Sequence, residues 1–126
     1  MVAGRVFGNL MFTLAHFTLV AALALPCALS AAVLVEPTVV LTLKNHRYEP
    51  ATVTVPAGRK IHVHLINQDG TMEEFDSSDL RVEEDVTPHG QTDFTVGPLR
   101  PGAYAFMGEA HPATAQGRFT AVAASQ

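Results

Sequence analysis

The sequence predicts an all-β fold, a Greek-key antiparallel β-sandwich of six to eight short strands. Two observations lead to this prediction. From residue 36 onward, apolar and polar residues alternate over short runs, which is the pattern of strands with one buried face. Pro, Gly, Asn and Asp residues separate the runs at regular spacing, and no long amphipathic helix is indicated.

Each predicted strand is a short run with an apolar side chain at every second position. The clearest is 60–65, in which Ile61, Val63 and Leu65 alternate with polar residues that include His62 and His64. The remaining runs, in chain order, are 39–44, 53–55, 94–96, 104–106 and 119–122.

Residues 73–86 interrupt this regular pattern because they are strongly acidic. Phe75, Leu80 and Val82 are among the few apolar residues there. We therefore predict a long crossover between the sheets, with one helical turn at 77–80. The acidic residues are Glu73, Glu74, Asp76, Asp79, Glu83, Glu84 and Asp85.

Residues 1–30 have the features of a secretory signal peptide. Arg5 supplies a positive charge, 10–25 is nearly uncharged and apolar, and Pro26 is followed by small residues at the alternate positions 28 and 30. We predict cleavage near Ser30, export to the periplasm and one folded domain over 36–123. The alternative is an uncleaved membrane anchor, since about 20 apolar residues can span a bilayer.

Cys27 is the one cysteine of the chain, and it lies inside the predicted signal peptide. Ala24 and Pro26 stand where a lipoprotein signal has a Leu and a small residue, so we do not expect lipidation. After cleavage the protein would have no thiol. That would exclude disulfides, thiolate metal ligands and a cysteine nucleophile.

The charge balance and the absence of known motifs exclude several functions. Eight Lys and Arg residues against twelve Asp and Glu residues give a net charge of −4. Nucleic acid requires a basic surface that displaces counterions, so we expect no nucleic-acid partner. The sequence also lacks the P-loop, dinucleotide, zinc-protease and EF-hand motifs and a serine nucleophile elbow.

The C-terminal string 101–117, PGAYAFMGEAHPATAQG, resembles the segment in which cupredoxins present their last copper ligands. In that resemblance the usual Cys position is Gly108, the His position is His111 and the Met position is near Gln116. The first His position falls among 72–74, where carboxylates stand. The resemblance therefore implies a cupredoxin-type sandwich without a thiolate blue-copper site, because blue copper needs a Cys.

Further motifs extend the resemblance over 39–121. LKNHRYEPA (43–51), VPAG (55–58) and EEFDSSDL (73–80) occur in order before the C-terminal string. Together they resemble the periplasmic EfeO-type cupredoxin-like proteins, and especially the small cupredoxin component of Ftr-type ferrous iron transport systems. Ala110 departs from this pattern, which has an aromatic residue there, and Asp85 replaces the more usual Lys.

The resemblance implies copper and/or iron as the bound metal ion and a role in ferrous iron uptake. It also implies an inner-membrane iron permease and a P19-like periplasmic protein as partners. The candidate ligands are Glu74, Glu109, His111, His46 and Met107. Enzymatic activity is left open, as an accessory role in Fe(II) oxidation.

Other interpretations stay open at this stage. The pair His62 and His64 is either a polar sheet face or a clip for a metal, and His89 is a surface residue. A copper carrier or copper-resistance protein would use Met72, Met107 and His111. A metal-free sandwich that acts as an interaction module is the third possibility.

Overall fold

A computed structural model, which describes residues 4 and 33–125, contains nine β-strands in two sheets. The first sheet has the order β2-β1-β4-β7 and the second the order β3-β9-β8-β5-β6. Within 33–125, no helix has the length and apolar character that a membrane crossing requires. The strands are β1 (Thr38–Lys44), β2 (Arg47–Glu49), β3 (Thr52–Pro56), β4 (Ile61–Asn67), β5 (Glu73–Ser77), β6 (Val82–Val86), β7 (Gln91–Val96), β8 (Gly102–Gly108) and β9 (Gln116–Val122).

The predicted all-β sandwich is confirmed, but two of its details were wrong. The described residues form nine strands rather than six to eight. The sheets are also mixed, because β1 pairs with β4 and β3 pairs with β9 in parallel. Alternation identifies a strand from its own residues, whereas its partner and direction depend on residues far away in the chain. The predicted signal peptide and Cys27 lie outside the described residues, residue 4 excepted.

The acidic segment is a β-hairpin, so the predicted crossover with a helical turn was wrong. Strands β5 and β6 pair in antiparallel from Glu73↔Val86 to Ser77↔Val82. On β5, Glu73, Phe75 and Ser77 are buried, whereas the residues between them point outward. The connecting turn is held by the backbone N–H of Leu80, which donates to Ser77 Oγ at 3.0 Å. Buried and outward residues alternate here as in any strand, but the acidic composition made this alternation hard to recognise in the sequence.

Aromatic rings fill the space between the sheets. The ring of Phe75 is fully buried and lies 4.9 Å, between ring centroids, from both Phe94 and Phe106. Phe106 also contacts Tyr48 edge-on at 5.1 Å. Such pairs add to the free energy of simple burial. The first sheet contributes mainly aliphatic side chains, because every second residue of β4 is buried.

One end of the sandwich gathers four connections, the turn 45–46 and the loops 68–72, 87–90 and 109–115, and we call it the four-loop end. Asn67, only 1% exposed, joins two of these loops. Its Nδ2 donates to the carbonyl oxygens of Thr71 (2.8 Å) and Thr87 (3.1 Å), and its Oδ1 accepts the N–H of Asp69 at 2.9 Å. The loops are therefore fixed relative to the core rather than merely adjacent.

Gly117 provides a test of the packing. A Cβ at this position would lie 2.6 Å from Phe106 Cε2 and 2.7 Å from the Ala51 carbonyl oxygen. We expect Gly117→Ala to lower the free energy of unfolding by about 1–3 kcal/mol through overpacking. Chemical denaturation measures this change. The control is Gly70→Ala, whose added methyl would meet only His89 Nε2 at 3.6 Å. A loss of stability in the control equal to that of Gly117→Ala would contradict the explanation.

Candidate metal centre

A buried carboxylate lies at the centre of the four-loop end. Glu73 is 1% exposed because it shares the inward face of β5 with Phe75. Its Oε2 lies 2.8 Å from His111 Nδ1, and its Oε1 accepts the backbone N–H groups of Ala110 (2.8 Å) and Glu74 (3.1 Å). An acceptor buried in this way is stable only when such partners replace water. Glu73 therefore fixes the 109–115 loop and orients His111.

A strained turn positions His46. Asn45 and His46 both have positive φ, 52° and 56°, between the paired strands β1 and β2. Hairpin turns of this kind usually carry Gly in the second position, where His46 stands. The Asp69 carboxylate accepts the N–H of Asn45 (2.7 Å) and of His46 (2.8 Å), which holds the turn. A costly conformation kept for a histidine points to a use for its imidazole.

The rings of His46 and His111 stack on each other. Their centroids are 3.7 Å apart and their planes differ by 13°. His46 Nδ1 is 3.5 Å from Asp69 Oδ2, so each ring has a carboxylate on its Nδ1 side. This arrangement is typical of metal-binding histidines, in which a carboxylate fixes the ring and leaves Nε2 for the metal.

The desolvated surroundings of this centre affect two ionisable groups. Burial alone would raise the pKa of Asp69, but the amide hydrogen bonds from His46 and Asn45, with the charges of His46 and His111, lower it overall. Burial, and after it the charge of Glu73, raises the pKa of Tyr48 above its usual range. Asp69 is thus an anion at neutral pH, and Tyr48 a neutral hydroxyl.

Two buried polar atoms at this centre have no hydrogen-bond partner among the residues that the structure describes. They are His46 Nδ1 and the Tyr48 hydroxyl oxygen. The 3.5 Å separation of His46 Nδ1 from Asp69 is an ion-pair distance and is not a well-formed hydrogen bond. Unsatisfied buried groups are rare in folded proteins, and an absent ion or water is one of their ordinary causes.

Gly108 stands where the resemblance places the cupredoxin Cys, and the space beside it is filled. A Cβ on Gly108 would lie 2.6 Å from the Glu73 Cδ and 2.8 Å from Ala115 Cβ. The Glu73 carboxylate thus occupies the volume that a Cys side chain at 108 would enter. A carboxylate and an imidazole therefore stand where the resemblance places a thiolate.

The remaining candidate ligands lie around this centre but face other directions. Glu74 and Glu109 are adjacent, since the Glu109 N–H donates to the Glu74 carbonyl at 2.9 Å, and both line a surface depression with Met72, Asp85 and Ala110. Met107 is 40% exposed on β8 and lies beside Asp76, Ser77 and Gln116 instead. Of the candidate ligands, His46 and His111 are in direct contact with each other.

The imidazole and carboxylate side chains at this end are of types that bind metal ions, although they now contact one another through hydrogen bonds and ring stacking. Among residues 33–125, no group of three or more His, Cys, Asp and Glu side chains is already arranged to hold a metal ion. An ion bound by His46 and His111 would have to separate the stacked rings. Glu73 and Asp69 would then orient the rings, and the Tyr48 hydroxyl would lie nearby.

Sequence reasoning missed Glu73, Asp69 and Tyr48 as members of this centre. For Glu73 a signal existed, because it is two residues from the apolar Phe75 and so shares its inward face. Asp69 gave no such signal, because its partners Asn45 and His46 are more than twenty residues away. Tyr48 alternates with polar neighbours and was predictable as a core residue.

Comparison with known proteins identifies the family and the fold of the chain. Residues 16–121 match the sequence profile of the family described as Cupredoxin-like domain. The uncharacterized protein RP394 of Rickettsia prowazekii (strain Madrid E) is 43% identical over 77 residues, 61% of this chain and 62% of that protein. The chain therefore spans less than two thirds of that relative.

Solved copper proteins share the fold, which confirms the predicted cupredoxin-type sandwich. Auracyanin A, a blue copper protein of Chloroflexus aurantiacus, has a TM-score of 0.61 at 11% identity and covers 70% of this chain and 100% of its own. The metal-binding domain of the Cu(I)-exporting P-type ATPase CopA of Streptococcus pneumoniae D39 has a TM-score of 0.60 at 14% identity, covering 68% and 84% respectively.

The cluster around Glu74 generates a pH-dependent prediction. Desolvation, then the charge of Glu109 and those of Asp85 and Glu83, raises the pKa of Glu74. A carboxyl group with a raised pKa in the folded state stabilises the fold at low pH, and this contribution is lost as pH rises through the folded-state pKa. In the presence of a chelator, we expect Glu74→Gln to have a higher melting temperature than the parent at pH 7. The difference should vanish below about pH 4, where the unfolded carboxyl group is also protonated.

Thermal denaturation followed by circular dichroism measures the effect. The control is Glu49→Gln on β2, an exposed carboxylate outside the cluster, which we expect to leave the melting temperature unchanged at both pH values. A lower melting temperature of Glu74→Gln at pH 7 would show that Glu74 stabilises the fold as an anion.

Proposed function

The chain belongs to the cupredoxin-like domain family, and we propose that it is a periplasmic protein of ferrous iron uptake that holds copper or iron at the four-loop end. One observation carries the proposal. Two stacked imidazoles, those of His46 and His111, are each faced by a carboxylate at the end of the sandwich that the family resemblance assigns to the metal. A carboxylate on the Nδ1 side of a histidine is the usual orientation of metal-binding histidines, in which Nε2 is left for the metal.

The donor types indicate which metals suit the centre. Imidazole and carboxylate groups favour Cu(II), Zn(II) and iron, whereas soft Cu(I) and blue copper depend on sulfur ligands. Copper bound there would supply one-electron exchange between Cu(II) and Cu(I). Oxidation of one Fe(II) would give that electron to the centre, and an outside acceptor must then remove it. We therefore propose a carrier or redox partner rather than a self-sufficient oxidase.

The protein's own residues would prepare the centre for a cation. Glu73 orients the His111 ring through its Nδ1, Asp69 lies 3.5 Å from His46 Nδ1, and the acidic residues Glu74, Glu109 and Asp85 surround the depression next to Glu73. A cleft lined by one sign of charge concentrates ions of the opposite sign. Fe(II), as the cargo, would be drawn to this depression. Ala110 lines it with a small side chain where the family pattern has an aromatic one.

The cellular setting is part of the same proposal. Export to the periplasm is supported by the signal-peptide features of residues 1–30, namely Arg5, the apolar stretch and the small residues Ala28 and Ser30. The inner-membrane permease and the P19-like periplasmic protein are supported by the resemblance to Ftr-type systems. Delivery of the metal ion to such a permease would complete the uptake step.

A copper carrier is the second candidate, and the exposed methionine beside the centre favours it. Met72 is 49% exposed and lines the same depression as Glu73 and Glu109, so a thioether is available there. Competition distinguishes the two functions. Tight Cu(I) binding that is lost in Met72→Leu, with no binding of Fe(II), would support the copper carrier. Fe(II) or Cu(II) binding that Met72→Leu leaves unchanged would support the iron-uptake protein.

The direct test is removal of His111. We expect His111→Ala to weaken Cu(II) or Fe(II) binding about 10- to 100-fold, because the change removes a donor and leaves the buried Glu73 without its partner. Isothermal titration calorimetry measures the affinity, with Fe(II) titrations carried out without oxygen. Glu73→Gln is expected to weaken metal binding less than His111→Ala. The His111 ring remains available to the metal in this variant, although a neutral Gln side chain orients it less well than a carboxylate.

Met107→Leu is the matched control, because Met107 faces Asp76 and Gln116 on the outer surface rather than the stacked rings. It should bind metal like the parent. Equal affinity of His111→Ala and the parent would overturn the assignment of the centre. An equal loss in Met107→Leu and His111→Ala would instead indicate a site on the outer face of β8.

A further inference from the structure

A second group of histidines lies far from the four-loop end. His62 and His64 point outward from β4, on the face of the first sheet that is away from the core, and Asp93 lies beside them on β7. His64 is three residues before Asn67, where β4 reaches the four-loop end, and His62 is five residues before it. At about 3.3 Å per residue, this places the group roughly 10–17 Å along the strand from that end.

The three side chains meet at one oxygen atom. His62 Nε2 is 3.1 Å and His64 Nδ1 is 2.8 Å from the same Asp93 Oδ1. The strand register produces this geometry, because His64 is directly opposite Asp93 and His62 is the next outward residue along β4. Both imidazoles therefore have a ring nitrogen directed toward one point on a rigid sheet.

We propose that His62, His64 and Asp93 form a second, solvent-facing site for a divalent transition metal ion such as Zn(II) or Cu(II). Two imidazoles and one carboxylate are a donor set that these ions accept, with remaining positions taken by water. The side chains are accessible, with exposed fractions of 39% for His62, 26% for His64 and 51% for Asp93. The backbone that carries them is already fixed by the β4–β7 pairing.

These three side chains are not already arranged around an ion, so the ion would replace the hydrogen bonds that now join them. With bonds of 2.0–2.1 Å in tetrahedral geometry, ligand atoms are about 3.3 Å apart, only a few tenths of an ångström more than the present nitrogen–oxygen distances. Each imidazole must then present a lone pair in place of an N–H, by a change of tautomer or by release of its proton. Binding should therefore weaken as the pH falls.

The surroundings on the sheet leave room for an ion. On the neighbouring strand β1 the residues in register are Thr38 beside His62 and Val40 beside His64, and on β7 Thr95 pairs with His62. Their short side chains do not carry charge, and the two imidazoles remain 39% and 26% exposed. Asp93 is the one carboxylate on these adjacent register positions, so it supplies the negative charge of the site.

The test uses zinc sulfate alone as the probe, in a His111→Ala background so that the four-loop end does not contribute. We expect one zinc ion to bind, and His62→Gln combined with His64→Gln to reduce the affinity by at least about 10-fold. Competition with a chromogenic chelator measures it. A second readout does not depend on the variants: zinc should shift the ring-proton NMR signals of His62 and His64 in the parent protein and leave those of His89 in place.

His89→Asn is the matched control, since it removes a histidine from the loop 87–90 and Asn tolerates the positive φ of 51° found there. It should bind zinc like the His111→Ala parent. Unchanged zinc affinity in the His62/His64 double variant, or undisturbed His62 and His64 signals with zinc in excess, would overturn the proposal. Loss of binding in Asp93→Asn as well would support all three ligands.

Discussion

The hydrogen bonds of the buried Glu73 carboxylate hold the candidate centre together. A carboxylate removed from water is destabilising by several kcal/mol unless donors surround it. Here the donors come from its own strand and from the 109–115 loop, through Ala110 and His111. The loop therefore cannot move away from β5 without leaving an unpaired buried charge. One interaction thus determines both the loop conformation and the orientation of the His111 ring.

The same constraint explains the unusual backbone around His46. The stacked ring of His46 must reach over His111, and the tight turn that achieves this has two successive residues with positive φ. The Asp69 carboxylate offsets the cost of this backbone conformation by accepting hydrogen bonds from both turn amides. The side-chain oxygen of Asn67 accepts the N–H of Asp69. A chain of hydrogen bonds thus runs from the buried end of β4 to the backbone amide of His46. The two rings lie beside separate carboxylates, Glu73 on β5 and Asp69 in the loop 68–72.

Much of the fold was predictable because alternation is a local property. The strand at 60–65 follows directly from Ile61, Val63 and Leu65, and β4 is its observed counterpart. The β5–β6 hairpin was missed because its outward residues are acidic and its inward residues include Glu73 and Ser77. Composition there suggested a solvated loop, whereas the period-2 placement of Phe75 indicated a strand. The parallel pairing of β1 with β4 arises because the intervening strand β3 belongs to the other sheet. The residues of a short segment do not indicate which sheet its strand will join.

The candidate site was predictable in its location but not in its donors. The resemblance aligned the loops by residue order, and this located His111 and the acidic pair 73–74 at one end of the sandwich. Which of the two acidic residues faces inward depends on strand phase, and Phe75 decides in favour of Glu73. The pairing of His46 with Asp69 joins segments that only the folded chain brings together.

The relation between Glu73 and Gly108 makes the absence of a thiolate understandable as a replacement rather than a loss. A side chain at position 108 would overlap the Glu73 Cδ and the Ala115 methyl group, so a Cys there and this buried carboxylate exclude each other. A Gly at position 108 with no other side chain in that volume would leave a cavity, and cavities are destabilising. This chain instead has a carboxylate in that volume, bonded to three donors. The packing of the core therefore favours the buried carboxylate over a Cys side chain here, and a Cys at position 108 would require changes at positions 73 and 115 as well.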